Sequence, residues 1–400
     1  MAQPFRAAGY PWRLHAGDDA LRQLPSEVAR AGSVRGFVIC GKTVATKTDL
    51  LSRIQDLLGD RYAGAFDGMD KDCSYPAVLA AAEAAGAAGA DLLVAVGGGS
   101  VIVGTRVAAI FMAEPGNPFD LMTQYPPGKP AFSPKLTAEK VPIINVVTTP
   151  TTAMNRAGSG LKNTDLDHRM EYFDPKTRPV ALFWDSDALL TAPIGLLRST
   201  GTTTFTQVLQ SAALAPPNPL VEGDFDHAMT LAARALPRAL AAPDDAAPRI
   251  ELCAAALLVN RAADDHAGVP MARDSIGSAA YALATALHVR FDEVGQGEAT
   301  AAVLPTCVRL VPEPNGSAAR MAAALGAEVG NGRPAADVAA DGLIAFYQSI
   351  GMPTRIRELG IPESSLADLV RDTVKNFNAY PGDRPADQEQ RMLALFEAAW

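Results

Sequence analysis

Three glycines and a serine, Gly97, Gly98, Gly99 and Ser100, interrupt the stretch "DLLVAVGGGSVIVGTRVAAI" (91–110). The apolar run before them reads as a buried strand ending at Val96, and helical spacing resumes at about Val101. Strand, glycine turn and helix in that order set backbone N–H groups at a helix N-terminus against an anion, a phosphate above all. Glycine is needed where a Cβ would block the ligand's approach. The spacing is neither the GxGxxG dinucleotide fingerprint nor a P-loop, because no Gly-Lys-Ser/Thr follows. A plain tight turn between strand and helix is the alternative reading. The chain also has five histidines, the side chains best matched to proton transfer near neutral pH. His15, His227 and His266 have aspartates beside them in sequence and read as surface residues. His168, in the charged, hairpin-like stretch "DLDHRMEYF", reads as a solvated loop residue. Ser159, in "GSG" (158–160), lacks the GxSxG elbow of a nucleophilic serine.

The elements that must position the glycine turn follow from periodicity. "RGFVIC" (35–40), "DLLVAV" (91–96), "VPIINVVTT" (141–149) and "RPVALFWD" (178–185) read as strands. Helical patterns run through "KTDLLSRIQDLLG" and "PAVLAAAEAAGAAGA" (76–90) between them. Strands alternating with helices predict a parallel α/β sheet, with a Thr-, Asn- and Gly-rich loop at 150–165. After Asp187 strand signals nearly vanish, and Ala- and Leu-rich helical patterns such as "RIELCAAALLVNRAADD" and "PAADVAADGLIAFYQSI" take over. The division expected is an α/β dinucleotide-binding-type domain over 1–186 and an all-α domain over 187–400.

Composition narrows the function classes. The 400 residues suffice for two domains, and 48% hydrophobic with 20% charged residues is a globular balance. A net charge of -9 and a pI near 5.1 argue against binding nucleic acid or an anionic membrane. No apolar run reaches membrane-spanning length, and no signal-peptide pattern opens the chain. Cys40, Cys73, Cys253 and Cys307 lie far apart and read as reduced, mostly buried thiols of a cytoplasmic protein.

The whole arrangement resembles the iron-containing (group III) alcohol dehydrogenase family, and within it the maleylacetate reductases. "FDGMDKDCSYPAV" followed by "GADLLVAVGGGS" is similar to the family's first half, and "TTPTTAMNRAGSG" resembles its threonine-rich nicotinamide loop. "RPVALFWDSDALLTAPIGLLRSTG" resembles the segment joining its domains, and "SIGMPTRIRELGIPESSLADL" its C-terminal helices. The resemblance implies a dinucleotide-binding domain joined to a metal-carrying helical one, NAD or NADP as cofactor, and a homodimer. It puts the pyrophosphate on Gly97, Gly98, Gly99 and Ser100 and the nicotinamide ribose between Thr148, Thr149, Thr151 and Thr152. Val103 and Arg106 stand where the family has an Asp and a Lys, three residues ("AMN") are inserted in the nicotinamide loop, and Gly160 replaces a Glu.

The metal-ligand positions depart further. They correspond here to Thr203 and Gln207 on one helix, to Tyr281 and Thr285 on a later one, and to Gln296 beyond it. None of these is a carboxylate, imidazole or thiolate, so no metal is expected. Residues four apart share a helix face, so Thr203 with Gln207, and Tyr281 with Thr285, should still point into the old pocket, and His288 lies on the same stripe as Tyr281. A phenol, an imidazole and hydroxyls could hold a carbonyl oxygen and protonate it. The expectation is a metal-independent, NAD(P)H-dependent reductase of an activated carbonyl or conjugated alkene, acting on a small molecule. The alternatives are a redox-neutral lyase, hydrolase or cyclase, or a silent relative. Arg106 is a candidate phosphate partner or an exposed helix arginine, and Lys42, after the first of these strands, a candidate for a 2′-phosphate or a surface lysine.

Overall fold

A computed structural model describes residues 5, 7, 9–166, 168–214, 218–265, 275–312, 316–330, 332–380, 382 and 385–400. Its first half is built on a parallel sheet of six strands: β1 (Arg13–Gly17), β2 (Gly36–Cys40), β3 (Tyr62–Phe66), β4 (Leu92–Gly97), β5 (Ile143–Val147) and β8 (Ala181–Asp185). They lie in the order β1-β8-β5-β4-β2-β3. A separate antiparallel hairpin pairs β6 (Gly158–Leu161) with β7 (Met170–Phe173). Alternate side chains of β2 enter two cores: Phe37 and Ile39 pack with the Tyr75–Ala87 and Gly99–Ala113 helices, Val38 and Cys40 with the Leu50–Leu58 helix on the other face. Burial on both faces is what an unbroken apolar run in a parallel strand means. Each fully buried Val, Leu or Ile contributes roughly 1.5–3 kcal/mol.

The chain runs from β2 outward to β3, then returns past β2 to β4 and onward to β5 and β8. The order reverses between β2 and β4, and the crevice at the carboxyl ends of those two strands is where open α/β sheets take their ligands. The glycine turn stands there. The Gly99–Ala113 helix stops at Glu114, which is extended because Pro115 follows it.

Beyond Asp185, among the described residues, every element is helical. The Ile194–Ala212, Pro219–Ala241, Ala247–Asp265, Ile276–Arg290 and Gln296–Leu310 helices carry one large core of small and branched side chains. The Ala247–Asp265 helix also turns Cys253 and Ala256 into the core of the sheet, which joins the two halves. No helix among the described residues is long and apolar enough to cross a membrane.

Candidate active site

β4 delivers the chain to Gly98, extended at φ -87° and ψ -160°, and the helix begins at Gly99 with no side chain capping its first turn. The leading amides of a helix have no partner inside it, so this end presents donors to the crevice. A Cβ at Gly98 would lie 2.9 Å from Thr149 Cγ2, one at Gly99 3.2 Å from Thr151 Oγ1, and one at Gly97 2.5 Å from Val101 Cγ2. Gly98 and Gly99 are therefore set by the close approach of the threonine loop, and Gly97 by Val101 of the helix it leads into. The Thr148 amide donates to the Gly97 carbonyl (3.1 Å), and Thr149 Oγ1 shares a 2.6 Å hydrogen bond with Thr200 Oγ1 of the Ile194–Ala212 helix. Thr151 Oγ1 accepts from the Ala153 amide at 3.1 Å. Ser100 Oγ accepts from the Asp72 amide (3.0 Å), so this hydroxyl holds the 70–73 loop. In that loop Asp72 (φ 60°) and Cys73 (φ 43°) adopt the left-handed conformation without being glycine.

One expectation about the crevice is corrected. Arg106 is 1% exposed beneath the turn and donates to the Arg156 carbonyl at 2.6 Å. Burial pushes its pKa down to about 9, and it braces the loop instead of meeting a phosphate at the surface. Lys42, after β2, is met by a carboxylate that sequence alone did not bring to it: Asp67, just past β3, lies 3.0 Å from its Nζ.

The helical wall of the cleft holds the residues at the former metal-ligand positions. Thr203 Oγ1 donates to the Ser199 carbonyl (3.1 Å) and Thr285 Oγ1 to the Tyr281 carbonyl (2.7 Å), so both hydroxyls have given their proton to their own helix. Gln207 meets Arg156. With its amide oriented by the hydrogen-bond network, the nitrogen donates to Thr152 Oγ1 (2.7 Å) and the oxygen accepts from both terminal nitrogens of Arg156, Nη1 at 3.1 Å. Arg156 Nε donates to Asn260 Oδ1 at 2.6 Å, and Asn260 Nδ2 donates to the Thr152 carbonyl at 2.9 Å. Tyr281 is 39% exposed, and its phenol lies within electrostatic reach of Arg156 and Arg169. Arg169 packs over Gly160, where a Cβ would come 3.1 Å from its Cζ and Nε, and its Nε is buried with no partner.

The Tyr281 stripe does not stay in the open. Thr285 is 5% exposed and His288 only 1%. His288 Nδ1 stands 3.4 Å from Asp72 Oδ1, outside hydrogen-bond geometry, and neither ring nitrogen has a partner. Burial drives the His288 pKa down and Asp72 only partly opposes it, so the near-neutral imidazole expected at this position is not present. His15 is half-buried instead of solvated beside Asp18 and Asp19: its Nε2 lies 3.0 Å from the buried Glu27, and its ring stacks on Phe183. His227 is exposed, His168 is half-buried with Nδ1 2.8 Å from the Arg169 carbonyl, and His266 lies outside the described residues. All four cysteines are buried, and burial pushes the thiols of Cys40, Cys73 and Cys307 up to about 12, so none is a nucleophile at neutral pH.

A divalent metal of the kind expected from the resemblance does not fit these residues. The donor set is two hydroxyls, two amides and a phenol; Gln296 is exposed at the start of its helix, and the Gln207 amide oxygen is already bonded to a guanidinium whose charge would repel a dication. Among the described residues no group of three or more His, Cys, Asp or Glu could hold a metal ion. The crevice, by contrast, fits a dinucleotide: an uncapped helix end, glycines without Cβ atoms, and a switch point in the sheet.

Residues 11–186 match the family described as iron-containing alcohol dehydrogenase, and residues 214–400 match the C-terminal part of the same family. The chain belongs to the iron-containing alcohol dehydrogenase family. It is 28% identical over 259 residues to maleylacetate reductase 2 of Cupriavidus pinatubonensis, a match covering 64% of this chain and 62% of that enzyme. To the maleylacetate reductase of Sphingobium indicum it is 25% identical over 396 residues, 97% of this chain and 95% of the relative. Its fold is that of the NADH-dependent butanol dehydrogenase A of Thermotoga maritima, with a TM-score of 0.84 at 17% identity and 98% of each chain covered. These relatives of the chain are oxidoreductases by name, and the family fold is the α/β domain plus the all-α domain read from the sequence.

Periodicity and motif spacing missed Arg156, Arg169, Asn260 and Asp67. One signal was available for Arg156: the inserted "AMN" ends immediately before it.

Proposed function

We propose that the protein is a metal-independent, NADH-dependent reductase of an activated carbonyl or conjugated alkene, of the maleylacetate reductase type. The observation that carries this reading is the uncapped helix end at Gly98 and Gly99, opening at the switch point of the sheet onto the cleft that also contains Tyr281. A bound dinucleotide supplies a hydride there. The leading amides of the Gly99–Ala113 helix offset the charge of its pyrophosphate. Thr148, Thr149, Thr151 and Thr152 hold the loop that closes over the ribose. Tyr281 donates a proton to the substrate oxygen as it gains charge, and at 39% exposure it recovers that proton from water. Asp67 favours NADH over NADPH, because its carboxylate accepts from ribose hydroxyls, repels a 2′-phosphate and already neutralises Lys42.

The test is a fluorescence titration of chelator-treated protein with each dinucleotide. Saturable micromolar binding of NADH, about tenfold tighter than NADPH, is expected, a difference of about 1.4 kcal/mol. If neither binds up to millimolar concentration, the reductase reading falls.

A further inference from the structure

We propose that Arg156 is the electrophile of this cleft: its guanidinium takes the place of a metal cation and binds the substrate oxygen on which negative charge develops. This rests on the reductase reading above. Arg156 is held as a working group is held. Three of its five N–H bonds are committed, Nε to Asn260 Oδ1 at 2.6 Å and one from each terminal nitrogen to the Gln207 amide oxygen. The two that remain, one on each terminal nitrogen, point to opposite flanks of the guanidinium, and either can meet a single substrate oxygen. Its partners are neutral amides, and among the described residues it forms no ion pair with a carboxylate. Arg169 forms none either, and its buried Nε has no partner. Burial pushes the Arg156 pKa down although Tyr281 and Asp264 lie within electrostatic reach, a cost that an anionic ligand would offset, whereas at Arg169 the neighbouring Tyr281, Cys73, Asp72 and Glu171 already favour the cation.

The position connects the observations. The family resemblance makes Gln207 a metal-ligand position, and Gln207 here binds a guanidinium. The insertion that lengthens the threonine loop ends at that same arginine, and Arg106 fixes its carbonyl from below. The lengthened loop thus ends at a fixed positive charge, where the ligands for a mobile one have gone. In the reaction, hydride adds to the carbonyl carbon or to the β-carbon of a conjugated alkene, the electron pair moves onto oxygen beside an Arg156 N–H, and Tyr281 gives that oxygen its proton. NADH is oxidised to NAD⁺, and the carbonyl is reduced to an alcohol or the conjugated alkene, through its enol, to the saturated ketone. Gln207 and Asn260 are positioning residues that aim the guanidinium.

The experiment uses wild type, R156K and R156Q, each checked for fold by its melting transition and for NADH affinity by titration. Calorimetry then measures oxalate, a small dianion able to accept from a free Arg156 N–H, on chelator-treated protein. NADH oxidation is followed with maleylacetate, with and without EDTA or added Fe²⁺. We expect wild type to be indifferent to EDTA and to Fe²⁺. R156Q should lose oxalate binding and about 10²–10³-fold in kcat while keeping its affinity for NADH, the size of effect seen when one oxyanion donor is removed. R156K should fall between. Wild type that needs Fe²⁺, or folded R156Q that keeps kcat or oxalate affinity within threefold, overturns the assignment. If wild type does not oxidise NADH but binds oxalate through Arg156, the reductase reading fails and the anion-holding role of Arg156 stands.

Discussion

The two walls of the cleft differ in what they are made of. On the sheet side the site is backbone: a glycine turn, a helix end and a strand order. On the helical side it is side chains, and there the residues at the ligand positions are hydroxyls, an amide and a phenol. The sheet side is kept by packing, because Gly98 and Gly99 sit against Thr149 and Thr151, Gly98 too closely for a Cβ unless Thr149 shifts. The helical side is not so constrained. Thr203 and Thr285 return their hydroxyl protons to their own helices, so the helices persist whatever chemistry the pocket performs. A binding site written in the main chain resists change, whereas one written in side chains can be rewritten residue by residue without altering the fold.

Three substitutions would break or sharpen this contrast. The largest effect belongs to G98V, because its Cβ would lie 2.9 Å from Thr149 Cγ2 and must displace the threonine loop. NADH affinity should fall at least about a hundredfold, near 2.7 kcal/mol, while oxalate binding on the other wall stays within about threefold; loss of both in a folded protein would show the walls are one unit. Y281F comes next. Removing the phenolic proton should lower kcat about a hundredfold and leave NADH affinity untouched, as steady-state kinetics and titration would report. Unchanged kcat would remove Tyr281 from the chemistry.

The smallest effect is on stability. Burial depresses the folded pKa of His288, so an unfolded chain takes up that proton more readily as pH falls below its ordinary value, about 6.5. The stabilisation is fully present above that value and is lost as pH drops toward the folded one. Asp72, whose pKa is also lowered, acts only below the ordinary carboxylate range. Melting temperatures from pH 8 to 5 should therefore fall by a few degrees more, roughly 2–4 °C, in wild type than in H288N. Parallel curves would mean that His288 is not the buried neutral group described.

The fold was legible where strands are buried on both faces. β2, β4, β5 and β8 read as apolar runs, whereas β1 ("RLHAG") and β3 ("YAGAF") did not, and those two are the edges of the sheet, partly open to solvent. An edge strand need not be continuously apolar, so its sequence carries less signal. The β6 strand, "GSGL", has almost no strand character of its own and depends on pairing with β7. The site divides in the same way. The glycine turn announced itself by local spacing. Arg156 did not, because its role depends on Gln207 and Asn260, 51 and 104 positions away along the chain, and no periodicity joins them. Asp67 meets Lys42 only because β2 and β3 are neighbours.

Asn260 has a mechanical consequence. From the helical half it bonds Arg156, the Thr152 carbonyl and Asn155, while Asn145 and Arg178 tie Met154 and Asn155 to the sheet half. The threonine loop is thus riveted to both halves of the molecule at once. A jaw bolted at its inner corner cannot swing wide, so traffic through the cleft must pass by small movements at its rim, near Tyr281 and the loop after it.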